Sequence, residues 1–87
     1  MARLKVIRTD GSETVHTITP AIEVAFETYA KMGLHKAFQE LGLQSHVYWL
    51  AWECLRRSGE TVKPFTSPDF LDSLVKVEVL DDDSPLD

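Results

Sequence analysis

The residues with chemistry to offer are few: His16, His35 and His46, Cys54, and the neighbouring carboxylates Asp69 and Asp72. A zinc site needs imidazoles or thiolates at short spacings, so that several reach one ion. The three histidines fall on three different predicted elements, with no i,i+4 pair, no HExxH run and no Cys-x-x-Cys. Cys54 would be a nucleophile only as a thiolate beside a base. It falls on the apolar arc of a predicted helix, where an inert core thiol is expected. Asp69 and Asp72 sit at a predicted helix start, where carboxylates complement the dipole. The four glycines, Gly11, Gly33, Gly42 and Gly59, stand singly as punctuation and form no phosphate-cradling loop. No group of residues assembles a nucleophile, a base and oxyanion donors. The expectation is a binding protein that is not an enzyme and uses no cofactor and no metal.

The elements that position these residues must fit into 87 residues, enough for one small core. A composition of 44% apolar residues with 26% charged, two Trp, four Phe and two Tyr is that of a folding chain. One cysteine cannot make an internal disulfide, no apolar run approaches a membrane span, and the start Met1-Ala2-Arg3-Leu4-Lys5 carries no signal-peptide core. A protein of the reducing cytoplasm, with no membrane partner, is expected. The net charge of −5 is carried entirely by residues 78–87, which hold Glu78, Asp81, Asp82, Asp83 and Asp87 and no base. A neutral body with an acidic end lacks the basic stripe that nucleic-acid binding requires. Residues 1–80 are read as a single domain and 81–87 as a disordered acidic tail.

Leu4–Arg8 and Thr14–Ile18 are β-branched runs around Asp10-Gly11-Ser12, a hairpin signal because Gly accepts the positive φ of a tight turn. Thr19-Pro20 reads as N-cap and first residue of a helix that presents Ile22, Ala25, Phe26 and Tyr29 on one arc and stops at Gly33. A short helix over 34–41 groups Leu34, Ala37, Phe38 and Leu41 and stops at Gly42. A third helix, capped by Ser45 and running His46–Ser58, ends at Gly59 with Arg56 and Arg57 in its last turn. Ser67-Pro68 opens a fourth, short helix to about Leu74. Val75-Lys76-Val77-Glu78-Val79 alternates like a strand added to the hairpin, with helix continuation as the competing reading. The fold class is therefore α+β: an N-terminal β-hairpin packed on a small bundle of three to four helices, with a possible short C-terminal strand.

The third helix gives the candidate partner-binding residues. Val47, Tyr48, Leu50, Ala51, Trp52, Cys54 and Leu55 fill an arc of about 200° at 100° per residue. The remaining arc carries His46, Trp49, Glu53, Arg56 and Arg57. Trp52 is expected in the core. Two places are open to Trp49: exposed beside Arg56 as an interface anchor, or buried beneath the hairpin or the Pro64-Phe65 loop. On the first, Trp49, Glu53, Arg56 and Arg57 form the contact set.

The run Tyr48-Trp49-Leu50-Ala51-Trp52-Glu53-Cys54-Leu55-Arg56-Arg57-Ser58-Gly59, with Pro64-Phe65 and Phe70-Leu71-Asp72 after it, resembles the small tail assembly chaperones of long-tailed, siphovirus-type bacteriophages. The hairpin around Asp-Gly, Phe26-Glu27 on a helix and the acidic end are similar too. The resemblance implies a protein that binds the long helical tape measure protein and keeps it soluble while the tail tube assembles. It implies action in the cytoplasm of the infected host, absence from the mature virion, and a longer frameshifted form joined near Asp81-Asp82-Asp83. Coating a long client also implies self-association or many copies, with the hairpin edge as one candidate surface. The rival expectations are a phage-encoded protein that inhibits or modulates a host protein, and a structural component of the virion.

Overall fold

The computed structural model describes residues 2–42 and 44–80. Residues 81–87, read above as an acidic tail, lie outside the described residues. The fold is α+β: a three-stranded antiparallel sheet with helices against one face.

Strands β1 (Arg3–Arg8) and β2 (Glu13–Thr17) form the expected hairpin, in register Leu4↔His16 and Val6↔Thr14. The turn is built on three hydrogen bonds. Gly11 N–H donates to the Arg8 carbonyl, Arg8 N–H donates to the Ser12 carbonyl, and Asp10 accepts from Ser12 N–H through its side chain. Gly11 takes φ +90°, the left-handed residue that closes such a turn. The sequence after the last helix forms β3 (Leu74–Leu80), paired antiparallel with β1, so the strand reading holds and the order is β2-β1-β3.

The expected alternation of Val75, Val77 and Val79 on one face is corrected at its first position. Arg8 pairs with Leu74, while Ile7 pairs with Lys76, so one residue is extra between them. This bulge leaves Val75 63% exposed and puts Leu74 against the core. Leu4 and Val6 are fully buried beneath the helices, with Val77 and Val79 beside them on the same face. The other face is open, and Arg3, Lys5, Glu13, Lys76 and Glu78 lie on it.

Thr19 caps α1 (Pro20–Ala30), its hydroxyl accepting from Ile22 N–H with Pro20 in the first turn. The helix does not run to Gly33. It stops at Lys31, whose φ of 60° and ψ of 33° are left-handed, with its N–H donating to the Glu27 carbonyl. A lysine holds the place that glycine usually takes, and its Cβ makes that conformation costly. We expect Lys31→Gly to raise stability by about 0.5–1 kcal/mol, or roughly 4–8 °C in Tm per kcal/mol. Thermal denaturation followed by circular dichroism checks this, and a lowered Tm would mean that the lysine side chain is itself stabilising.

The short helix expected over 34–41 is also not uniform. One α-helical turn, α2 (Leu34–Lys36), widens into a π-helical segment over Ala37–Leu41, with Gly42 N–H donating to the Ala37 carbonyl five residues back. The wider turn carries Leu41 off the apolar arc, leaving it 47% exposed while Leu34 and Ala37 are buried.

The longest element is α3 (Gln44–Arg57), and Ser45 stands in its first turn instead of capping it. Its end follows the expectation. Gly59 takes φ +97°, its N–H donating to the Arg56 carbonyl, while Glu60 N–H reaches back to the Leu55 carbonyl. This is the paired closure that a left-handed glycine permits. Ser67 then caps α4 (Pro68–Leu71), which ends three residues earlier than expected because the chain turns directly into β3. Phe26, Ile18, Leu50 and Leu55 are among the fully buried side chains between these elements.

Candidate partner-binding surface

The residues buried on α3 are His46, Trp49, Leu50, Ala51, Glu53, Cys54 and Leu55. Of the arc expected to face water, His46, Trp49 and Glu53 are inside; only Arg56 and Arg57 are exposed. Val47, Tyr48 and Trp52, expected as core, are half-buried. The helix is rotated about its axis relative to the expectation. The positions 46, 49, 50, 53 and 54 recur at the three- and four-residue spacing of one helix face, with a glutamate among them.

Trp49 takes the second of its two possible places. Its indole is covered by α1 instead of by the hairpin. The Tyr29 ring lies parallel to it, 4.7 Å between centroids and 9° between planes, and Phe26 meets it edge-on at 6.0 Å. Phe26 also contacts Phe38 at 6.0 Å and His46 at 5.3 Å, which makes it the hub of an aromatic cluster. Trp49 is thus withdrawn as an exposed anchor.

Glu53 is buried because its partners are on its own helix. Arg56 donates from Nε and Nη2 to its Oε1 at 3.0 and 2.9 Å, and from Nη2 to its Oε2 at 2.9 Å. Arg57 donates from Nε to Oε2 at 2.6 Å. The carboxylate is 2% exposed, yet the two arginine side chains are 51% and 41% exposed. The structure therefore brings Glu53, Arg56 and Arg57 together as an ion cluster with an anionic root and a cationic surface. Glu53 is not a contact residue. The signal in the sequence was the spacing of one acid to two arginines three and four residues on.

What faces outward beside these arginines is aromatic. Trp52 donates its indole N–H to the Lys63 carbonyl at 2.8 Å, which fastens the loop after α3. The Arg56 guanidinium lies 5.5 Å over the Trp52 ring. Phe65, carried back by that loop, meets Trp52 at 6.4 Å, Tyr29 at 6.1 Å and Phe70 at 6.4 Å. Tyr29 is 41% exposed, and Trp52 and Phe65 are half-buried. A ledge of three partly exposed rings from α1, α3 and the loop, bordered by Arg56 and Arg57, is the candidate interface. Sequence reasoning reached the two arginines and missed Tyr29 and Trp52, both of which were placed on core-facing arcs, while Phe65 was placed only on the loop after the third helix.

The groups considered for chemistry lie elsewhere. Cys54 is buried, and burial pushes its thiol up to about 12, with the Glu53 charge adding to the rise. Such a thiol stays protonated at neutral pH. His16 lies on β2, within hydrogen-bond distance of Thr14 Oγ1, and burial, with the Arg8 charge, holds its pKa below the usual imidazole value. Among the described residues no three His, Cys, Asp or Glu side chains converge as metal ligands. A cleft of about 140 Å³ lies between β1, the end of α3 and α4, lined by Arg8, Leu55, Glu60 and Phe70 among others. That volume falls below the roughly 300 Å³ at which small-molecule sites begin. Arg8 and Glu60 bridge it by a bidentate pair that holds the Glu60 carboxyl below its ordinary pKa. Among the described residues no helix is long and apolar enough to cross a membrane.

No protein-family model, curated protein or solved structure matches the chain.

Proposed function

We propose that this protein is a non-enzymatic tail assembly chaperone of a long-tailed bacteriophage. It binds the tape measure protein in the cytoplasm of the infected host, keeps it soluble during tail tube assembly, and is absent from the finished virion. The observation that supports this reading is the ledge of Tyr29, Trp52 and Phe65 beside Arg56 and Arg57. Partly exposed rings with adjoining guanidiniums are the side-chain types enriched at binding hot spots. A client helix lays apolar residues at i, i+3 and i+4 across such a ledge, and its carboxylates meet the two arginines. Each copy binds modestly, and many copies along one client supply avidity.

Affinity capture of the tagged protein from phage-infected cells, with bound proteins identified by mass spectrometry, tests the reading. Recovery of a very long, helical phage protein supports it. Recovery of a host protein alone transfers the assignment to a phage-encoded modulator of the host, and recovery of nothing removes the chaperone role from this chain. Arg56→Ala should leave the fold in place, because Arg57 still holds Glu53. It is expected to weaken client binding by about 1 kcal/mol or more, a five-fold or greater loss of affinity.

A further inference from the structure

Strand β3 is an edge of the sheet and the longest of the three strands, with Leu74, Val77, Val79 and Leu80 half-buried and Val75 63% exposed. Among the described residues its backbone bonds in the sheet go to β1 alone. A long edge strand rich in aliphatic residues and free of proline is a template for another strand. Its sequence, Leu74-Val75-Lys76-Val77-Glu78-Val79-Leu80, reads almost the same in both directions about Val77, except that Lys76 on one side answers Glu78 on the other.

We propose that two copies of this chain join through their β3 edges, antiparallel about a two-fold axis at Val77, to make a continuous six-stranded sheet. In that register Val77 faces its own copy, and the regular ladder runs over Lys76, Val77 and Glu78 of each strand, up to the bulge at Val75. Lys76 faces Glu78, and Glu78 faces Lys76. Opposed residues of an antiparallel pair point to the same face, so both charge pairs form on the open face of the sheet. There Lys76 and Glu78 of one strand already touch at 3.1 Å, and Lys5 of β1 stands in register with Glu78. The two-fold completes an alternating square of four charges. In-register parallel pairing sets Lys76 against Lys76 and Glu78 against Glu78, which is repulsive. The edge strand β2 has no such self-complement, since pairing about Val15 sets Glu13 against Thr17. The contact is isologous and closes as a dimer. It gives a register to the self-association expected of a client-coating protein, but it stands on β3 alone and needs no client.

Sedimentation equilibrium on the full chain is the test. One strand pair is a small interface, so dissociation is expected in the range of about 10 µM to 1 mM. Lys76→Glu and Glu78→Lys should each raise the dimer dissociation constant about ten-fold or more, because each turns two attractive pairs into two repulsive ones. The double reversal Lys76→Glu/Glu78→Lys should restore dimerisation. The deciding arm is a mixture of the two single variants, in which every cross-strand pair is again opposite in charge. A heterodimer tighter than either homodimer is expected. Because neither variant keeps its own Lys76–Glu78 contact, repair within one strand cannot produce that result. A protein monomeric at about 1 mM, association that grows past the dimer, or a mixture no tighter than its components each overturns the proposal. Client capture by a monomeric protein would leave the chaperone reading standing while this one fails.

Discussion

Trp49→Asp is expected to abolish the cooperative thermal transition of this protein. The indole is 8% exposed and in ring contact with Phe26, Tyr29 and Trp52. Removing a buried tryptophan costs about 3–5 kcal/mol. Asp adds an uncompensated carboxylate against the face of the Tyr29 ring in a buried, apolar place, where charge is poorly accommodated. An 87-residue domain holds only about 5–10 kcal/mol of stability, so the sum consumes most of it. Circular dichroism at 222 nm should show a broad, early melt or none, and the Trp near-ultraviolet signal should be lost at 20 °C. A transition retained within a few degrees of the unsubstituted protein would put the indole outside the core. It would then return Trp49 to the contact surface.

The same residue shows where the sequence was legible and where it was not. Where a turn or cap rests on a glycine at positive φ or a cap-plus-proline start it was readable, as at Gly11 and Gly59 and at Thr19-Pro20 and Ser67-Pro68, whereas Ser45, a serine with no proline after it, was misplaced as a cap. The third strand was readable as a period-two alternation, although its bulge was not, because an extra residue in a ladder leaves no mark in composition. Lys31 was hidden for a related reason. Glycine two residues downstream was the better stop on propensity, and the packing of Phe26 and Met32 against the core outweighs the strain of a left-handed lysine.

The orientation of α3 failed for a different reason. Apolar or aromatic residues occupy so much of its circumference that hydrophobicity alone does not select the inward face. Counting Glu53 as a surface residue tipped the choice, and with it the placement of Trp49 and Trp52. Once Arg56 and Arg57 are credited with neutralising Glu53 from within the helix, the face through positions 46, 49, 50, 53 and 54 becomes an acceptable interior. The ledge of Tyr29, Trp52 and Phe65 follows from that rotation. None of the three could be assigned to a surface before the loop over 58–67 was known to fold back and be held by the Trp52–Lys63 bond.

Glu53 then separates core from surface in an experiment. Its carboxylate is 2% exposed, but the arginines that hold it are about half exposed and would be hydrated if released. The usual penalty for breaking a buried ion pair, a stranded buried charge, therefore does not arise on the arginine side. The cost depends on what replaces the glutamate. Glu53→Gln keeps one acceptor for Arg56 or Arg57 and should cost about 1–2 kcal/mol. Glu53→Met, apolar and of similar volume, should lie within about 1 kcal/mol of the unsubstituted protein. Glu53→Lys forces an ammonium into the interior beside two guanidiniums and should cost more than about 3 kcal/mol, enough to leave the chain partly unfolded at 37 °C. Urea denaturation at pH 7 ranks the three. Equal losses for Met and Lys would mean that the carboxylate itself stabilises the fold. The ranking Met, Gln, Lys would mean that Glu53 is tolerated inside because its arginines reach the surface, where they remain available to a partner. In that case the Glu53→Met protein, folded and with both guanidiniums freed, should bind an acidic client helix at least as tightly as the unsubstituted chain.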